Sequence, residues 1–233
     1  MQVALVTVGD ELLAGDTVNT NAAWLGRELA DRGVVVERVT TVPDQIEDIA
    51  EVVSAYRRRY DAVLVTGGLG PTHDDVTMAA VAESFGVDLI ESEAVLEWLA
   101  ENGGYSRQDL TEGTAHIPEG ARPLHNDVGV APGCVVGTVY VLPGVPAEME
   151  AMFERVEGEF AGESSYVEFV ECDEPESGLL DRFETLRERF DVKVGSYPGG
   201  TVRVKLEGQR EEVERAAAWL RENVALPEGE PQR

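Results

Sequence analysis

Residues 63–80 read VLVTGGLGPTHDDVTMAA, and the fold turns on how this stretch is taken. Ala62 to Val65 is a short apolar run of the kind a buried parallel strand presents. It passes into Thr66-Gly67-Gly68-Leu69-Gly70-Pro71-Thr72, and a helical pattern follows from Val76. Glycines let a backbone come close to a ligand, and bare N–H groups beside a helix start attract phosphate. Thr66, Gly67, Gly68 and Gly70 are therefore candidates for a phosphate cradle. Asp74 and Asp75 share that turn. Carboxylates do not hold phosphate; they hold a cation, bond a ligand's N–H groups or move protons. The loop is neither a Walker A loop, since no Gly-Lys-Ser/Thr follows, nor a dinucleotide fingerprint, since the third glycine is missing. Asp75 has a second reading, as the cap of the helix that begins at Val76.

Working outward, Val3 to Val8 is a continuous apolar strand that ends at Gly9-Asp10-Glu11. Ligands of open parallel sheets bind beyond the carboxyl ends of strands, which makes Asp10 and Glu11 site candidates; a capping turn is the other reading. Asn19 to Arg32 reads as a helix with Trp24, Leu25 and Leu29 on its core face, stopped by Gly33. Val34 to Val42 is a second strand. Asp44 follows it, either at the site or as the cap of a helix carrying Ile46, Ile49, Ala50 and Val53. Residues 107–132 read as a long irregular stretch, the kind that often carries function, and Asn126 and Gly129 are placed in a pocket wall. Residues 134–142 read as a hairpin about Gly137. Pro143-Gly144 then leads into a helix over 147–156, a second strand–glycine–helix junction that can face the same site.

The bulk numbers narrow the functional class. The formal charge is −26, from 45 acids against 19 bases, and Lys193 and Lys205 are the only lysines. Residues before Ser164 carry 9 bases and 29 acids, those from Ser164 onward 10 and 16, so acid is spread throughout. Such a surface keeps a protein soluble in concentrated salt and points to a halophilic cytosol. A chain-wide acid excess disfavours nucleic-acid binding, which needs a positive face. No apolar run approaches ~20 residues, so no membrane span is expected. The start VALVTV lacks the basic flank of a signal peptide, and a cytoplasmic protein is expected. Cys134 and Cys172 form no CxxC pair and read as buried thiols.

A polar segment over 157–165 marks a boundary, giving domains of 1–160 and 165–225. The second reads strand, helix, strand, strand, helix, with Tyr197-Pro198-Gly199-Gly200 between the last two strands. This is a small α+β module, KH-like or ferredoxin-like. It is acidic and has no GxxG loop between helices, so RNA binding is not expected of it. Residues 226–233 read as a frayed tail.

Four motifs taken together are specific: GDELLAG with NTNAAWL (9–15, 19–25), TVPDQIEDI (41–49), TGGLGPTHDDVTMAAVA (66–82), and IPEGARPLHNDVGVAPG with LPGVPAEMEAMF (117–133, 142–153). Their order resembles the amino-terminal domain of CinA, the competence/damage-inducible protein family, within the MoaB/Mog group that binds molybdopterin. The 233 residues leave no room for the deamidase domain of full-length CinA proteins, so that activity is not carried over. The resemblance implies an α/β domain with a mostly parallel sheet, helices on both faces, and a pocket at the strand carboxyl ends. It implies a phosphate cradle at Thr66, Gly67, Gly68 and Gly70, and an essential acid at Asp75 with a second at Asp44. Pocket walls fall at Asn126, Gly129, Pro143 and Gly144, and a metal at Asp10, Glu11 and Asp74. The activity implied is divalent-metal-dependent (Mg, Mn or Co) hydrolysis of a nucleoside-diphosphate compound such as ADP-ribose. The alternative is molybdopterin binding without hydrolysis. Relatives form dimers or trimers, so a homo-oligomer is expected.

Overall fold

The computed structural model describes residues 1–103, 110–111, 113–162 and 166–227. Parts of the 107–132 stretch, the last part of the 157–165 boundary and the tail beyond 227 lie outside the described residues. The chain divides into two compact units, Met1–Glu163 and Ser164–Arg233.

In the first unit the order is β1 (Gln2–Val8), α1 (Asp10–Ala14), α2 (Thr20–Asp31), β2 (Val35–Val42), α3 (Ile46–Tyr56), β3 (Ala62–Thr66) and α4 (Thr77–Phe85). It continues with β4 (Leu89–Glu91), α5 (Glu93–Trp98), β5 (His116–Pro118), β6 (Arg122–Leu124), β7 (Gly133–Val136), β8 (Val139–Leu142) and α6 (Pro146–Glu154). Six strands form one sheet in the order β2-β1-β3-β8-β7-β6. β1 is parallel to β2 and β3, and β3 to β8, while β7 runs antiparallel to both its neighbours, β8 and β6. The sheet is thus mostly parallel, as read. Its sense reverses at the β7–β8 hairpin, where Gly137 takes φ +56°, the left-handed geometry that a tight hairpin needs.

Side-chain alternation along the strands sorts residues to two cores. Val3, Leu5 and Leu64 pack with Leu25 and Leu29 of α2 and Met149, Met152 and Phe153 of α6. Val6, Val8, Val63 and Val65 face Ile49 and Val53 of α3 and Ala80 and Val81 of α4. Helices therefore cover both faces, and Trp24 stands edge-on to Phe153 at 5.6 Å between ring centroids, against the first core. Burying each large aliphatic side chain contributes about 1.5–3 kcal/mol. Strands of β1 and β3 type, buried on both sides, are continuous apolar runs and hence easy to read.

Three features depart from the expectation. α1 is a five-residue helix where a turn is read, closed by Gly15 at φ +79°. The stretch read as irregular holds β5 and β6; β5 pairs with β4 in a separate two-stranded ribbon. Strands of three residues are too short to show a period, so tertiary pairing alone defines them. Asp44 and Asp75 cap neither helix: α3 starts after Gln45 and α4 after Val76, each without a side-chain cap.

The second unit runs β9 (Tyr166–Cys172), α7 (Leu180–Arg189), β10 (Val192–Pro198), β11 (Val202–Gly208) and α8 (Arg210–Glu222). Its sheet has the order β10-β11-β9 with antiparallel neighbours, the α+β arrangement read from sequence. Val170, Val204 and Leu206 pack on Phe183, Leu186, Val213 and Leu220 of the helices. No described helix is long and apolar enough to cross a membrane.

Candidate functional site

The carboxyl ends of β1, β2, β3 and β8 open into a cleft of about 270 Å³. Val8, Gly9, Glu11, Asp44, Thr66, Gly67, Gly68, Asp74, Asp75 and Gly144 line it, with Thr17 to Asn21 closing one side. The parallel sheet brings these together, since residues 8 and 66 end, and residues 44 and 144 follow, strands that point the same way.

The glycine loop is built by close approach. A Cβ on Gly67, which has φ +102°, would stand 2.3 Å from the Val8 carbonyl oxygen. One on Gly68, at φ +65°, would stand 2.4 Å from Thr77 Oγ1. The loop's amides, however, are largely used within the protein. Gly67 N–H donates to the Leu142 carbonyl (3.2 Å), and Gly70 N–H to Asp75 Oδ1 (2.6 Å). Thr72 gives its N–H (2.9 Å) and its hydroxyl (2.6 Å) to Asp75 Oδ2. Asp75 is therefore a brace that folds the loop onto itself. Of the three glycines expected to bare an amide, only Gly68 donates to no group among the described residues. Gly70 does not line the cleft; it lies on a second hollow of about 160 Å³ behind the loop.

Asp44 stands opposite. Its Oδ2 accepts the Asp10 N–H at 2.8 Å, which ties the end of β2 to the start of α1. Burial pushes the Asp44 carboxyl above the ordinary aspartate range. The Asp10 amide pulls it back, and the charges of Asp10, Glu11 and Asp74 push it up again. Three neighbouring acids thus act on Asp44, and no Lys, Arg or His lines the cleft among the described residues.

Other expected site residues fall elsewhere. Asp10 contributes its amide but does not line the cleft. Asp74 lines it and pairs at the surface with His73 Nδ1 at 2.9 Å. Pro143 is not in the lining, whereas Gly144 is. Asn126 is a buried knot: its amide donates to the Ala131 carbonyl and to Glu148, and its oxygen accepts from Val128 and Gly129 N–H. Gly129 packs against the same Glu148 carboxylate, so both serve the loop and neither lines the cleft. Among the described residues no group of three or more His, Cys, Asp or Glu stands ready to hold a metal. Asp10, Glu11 and Asp74 do not fit a preformed metal centre.

The segment Thr17 to Asn21 was missed as lining. Asn19 caps α2 through the Ala22 N–H and donates to Thr7, and Asn21 Nδ2 donates to the Gly144 carbonyl at 2.7 Å. The signal was the repeat of amides in Asn19-Thr20-Asn21, which reads in sequence only as a helix start. Asn21 joins the first and last turns of the site.

A cleft at the carboxyl ends of a mostly parallel sheet, walled by glycine backbone and carboxylates, defines a small-molecule-binding α/β domain. The family model described as "Probable molybdopterin binding domain" matches residues 4–160, and the chain belongs to that family. Over 225 residues it is 39% identical to a protein of Archaeoglobus fulgidus, covering 95% of this chain and 97% of that one. A CinA-like protein of Frankia casuarinae is 45% identical over 165 residues, 66% of this chain and 38% of its own length. The crystal structure of CinA from Thermoplasma acidophilum superposes with a TM-score of 0.63 at 40% identity, over 68% of this chain and 97% of that one. The CinA resemblance read from the four motifs is thereby borne out.

Proposed function

We propose that the cleft binds a phosphate-bearing pterin of the molybdopterin type. The phosphate would lie against the Gly68 amide, near Gly144 and the start of α6. Carboxylates, Asp44 foremost, would accept the ring's N–H groups. The observation that carries this reading is the composition of the cleft: the carboxylates of Glu11, Asp44 and Asp74 line it, the Gly68 amide stays open, and no basic side chain lines it among the described residues. Acceptors in excess match a ligand rich in N–H donors. The test is calorimetric titration with a phosphorylated pterin, using wild type and Asp44→Asn. Saturable binding that the variant loses supports the reading; no binding by a folded wild-type sample refutes it.

The second reading is hydrolysis of a nucleoside diphosphate such as ADP-ribose to AMP and ribose 5-phosphate. Among the described residues no cation lines the cleft, which favours a substrate that carries its own divalent ion. Release of AMP with Mg²⁺, Mn²⁺ or Co²⁺ checks it, and intact ADP-ribose under all three excludes it. Assembly as a dimer or trimer belongs to this proposal on family likeness and is read by sedimentation.

A further inference from the structure

The chain-wide acid excess conceals a local exception. In the second unit, Val170, Cys172, Val202, Val204 and Leu206 point into the core with the helices. The alternate positions form the opposite face of the sheet. Directly opposed pairs across that face are Lys205 with Phe169, Tyr197 with Arg203, and Lys193 with Glu207. Both lysines of the chain and one arginine thus gather on one small surface. Phe169 and Tyr197 remain 44% and 49% exposed on it. Their ring centroids are 6.5 Å apart, and the Arg203 guanidinium lies 4.8 Å from one and 5.8 Å from the other. Gly195 has no side chain, and the Tyr197 ring and the Lys205 stem lie over its backbone. Two acids share the face. Glu207 pairs with Lys205 at 2.6 Å and stands 4.0 Å from Lys193, and Glu171 accepts the Thr201 hydroxyl.

We propose that this aromatic and cationic sheet face binds single-stranded RNA. Exposed rings offer stacking surfaces to bases, and the three cations meet phosphates. The carboxylates Glu171 and Glu207 repel phosphate, but they accept the hydrogen bond that only a 2′-hydroxyl donates, which selects ribose over deoxyribose. The footprint suits an extended strand. Three strands of seven residues span about 23 by 14 Å, well short of the ~800 Å² per partner of a stable dimer.

The test is fluorescence anisotropy of a labelled oligouridine of roughly ten nucleotides, titrated with the full chain over a KCl series. Circular dichroism confirms the native fold at each point. Micromolar binding is expected, weakened roughly 5- to 150-fold by Phe169→Ala and by Tyr197→Ala. Lys193→Ala with Lys205→Ala should lower the slope of log K against log salt by about 1.4. Phe169, Tyr197 and Lys193 are exposed and Lys205 is partly so, and unchanged melting curves keep the variants interpretable. No binding by folded protein overturns the proposal, as does binding that all these variants retain. Equally tight binding of oligothymidine overturns the choice of RNA. Self-association abolished by the same variants would show that the face meets a second copy instead.

Discussion

The two walls of the cleft solve opposite problems. The β3–α4 wall is glycine backbone braced from inside: Gly67 on Leu142, Gly70 and Thr72 on Asp75. Its polar groups are mostly satisfied before any ligand arrives. The β1–β2 wall carries Asp44 with one amide partner, partly buried and pressed by three neighbouring carboxyl charges. One wall supplies shape, the other unspent electrostatic demand. The difference teaches that an acid beside a glycine loop is not by position alone a ligand contact. Asp75 holds the loop; Asp44 is the group left wanting a donor.

The most severe way to break the comparison is Gly67→Ala. The new Cβ would meet the Val8 carbonyl at 2.3 Å from a left-handed backbone, and neither can yield cheaply. A loss of roughly 2–5 kcal/mol is expected, seen as a lower urea midpoint. A variant as stable as wild type would show the wall to be pliant. Next comes Asp75→Ala, which removes the acceptor of three hydrogen bonds. The turn is partly exposed, so about 1–3 kcal/mol is expected, together with faster amide exchange at Gly70 and Thr72. Ligand affinity should fall at least tenfold through loss of shape, with Asp75→Asn retaining part of it.

Asp44→Asn should behave in the opposite sense. An amide oxygen can still accept the Asp10 N–H, and the unfavourable charge is gone. Stability at neutral pH should stay level or rise by up to about 1 kcal/mol while ligand affinity drops about tenfold or more. The sign follows from linkage. The folded carboxyl titrates above its ordinary 3.8, so the folded state holds the proton more tightly. The stability this confers is fully present below 3.8 and is lost as pH rises through the folded value. Urea midpoints across that window should fall with pH in wild type more than in the variant; a steeper fall in the variant would reverse the assignment. The smallest effect concerns the core that the sheet forms with α3 and α4. Burial drives the Cys134 thiol up to about 12, so it should resist maleimide at neutral pH until the protein unfolds. Rapid labelling of native protein would mean the core between the sheet and α3 and α4 opens.

Much of the fold was legible because its central strands are buried on both faces and read as unbroken apolar runs. Val3 to Val8 and Ala62 to Val65 needed no partner to be recognised. β5 and β6 were not legible, since three residues carry no period. The cleft was legible at Gly67, Gly68, Asp44 and Gly144, each placed just past a strand. Asn126 and Gly129 misled because a conspicuous loop looks the same whether it binds a ligand or only itself. Asn19 and Asn21 were overlooked because a helix cap and a cleft wall use the same residues.

By itself the sequence determined the strand–glycine–helix order, and with it a site at the strand ends, because hydrophobic period and backbone freedom are local properties. Tertiary structure alone decided which amides stay available, which carboxylate is pressed by its neighbours, and which face collects both lysines. Those outcomes depend on distances between residues far apart in the chain, and strand pairing sets such distances only when the whole sheet has formed.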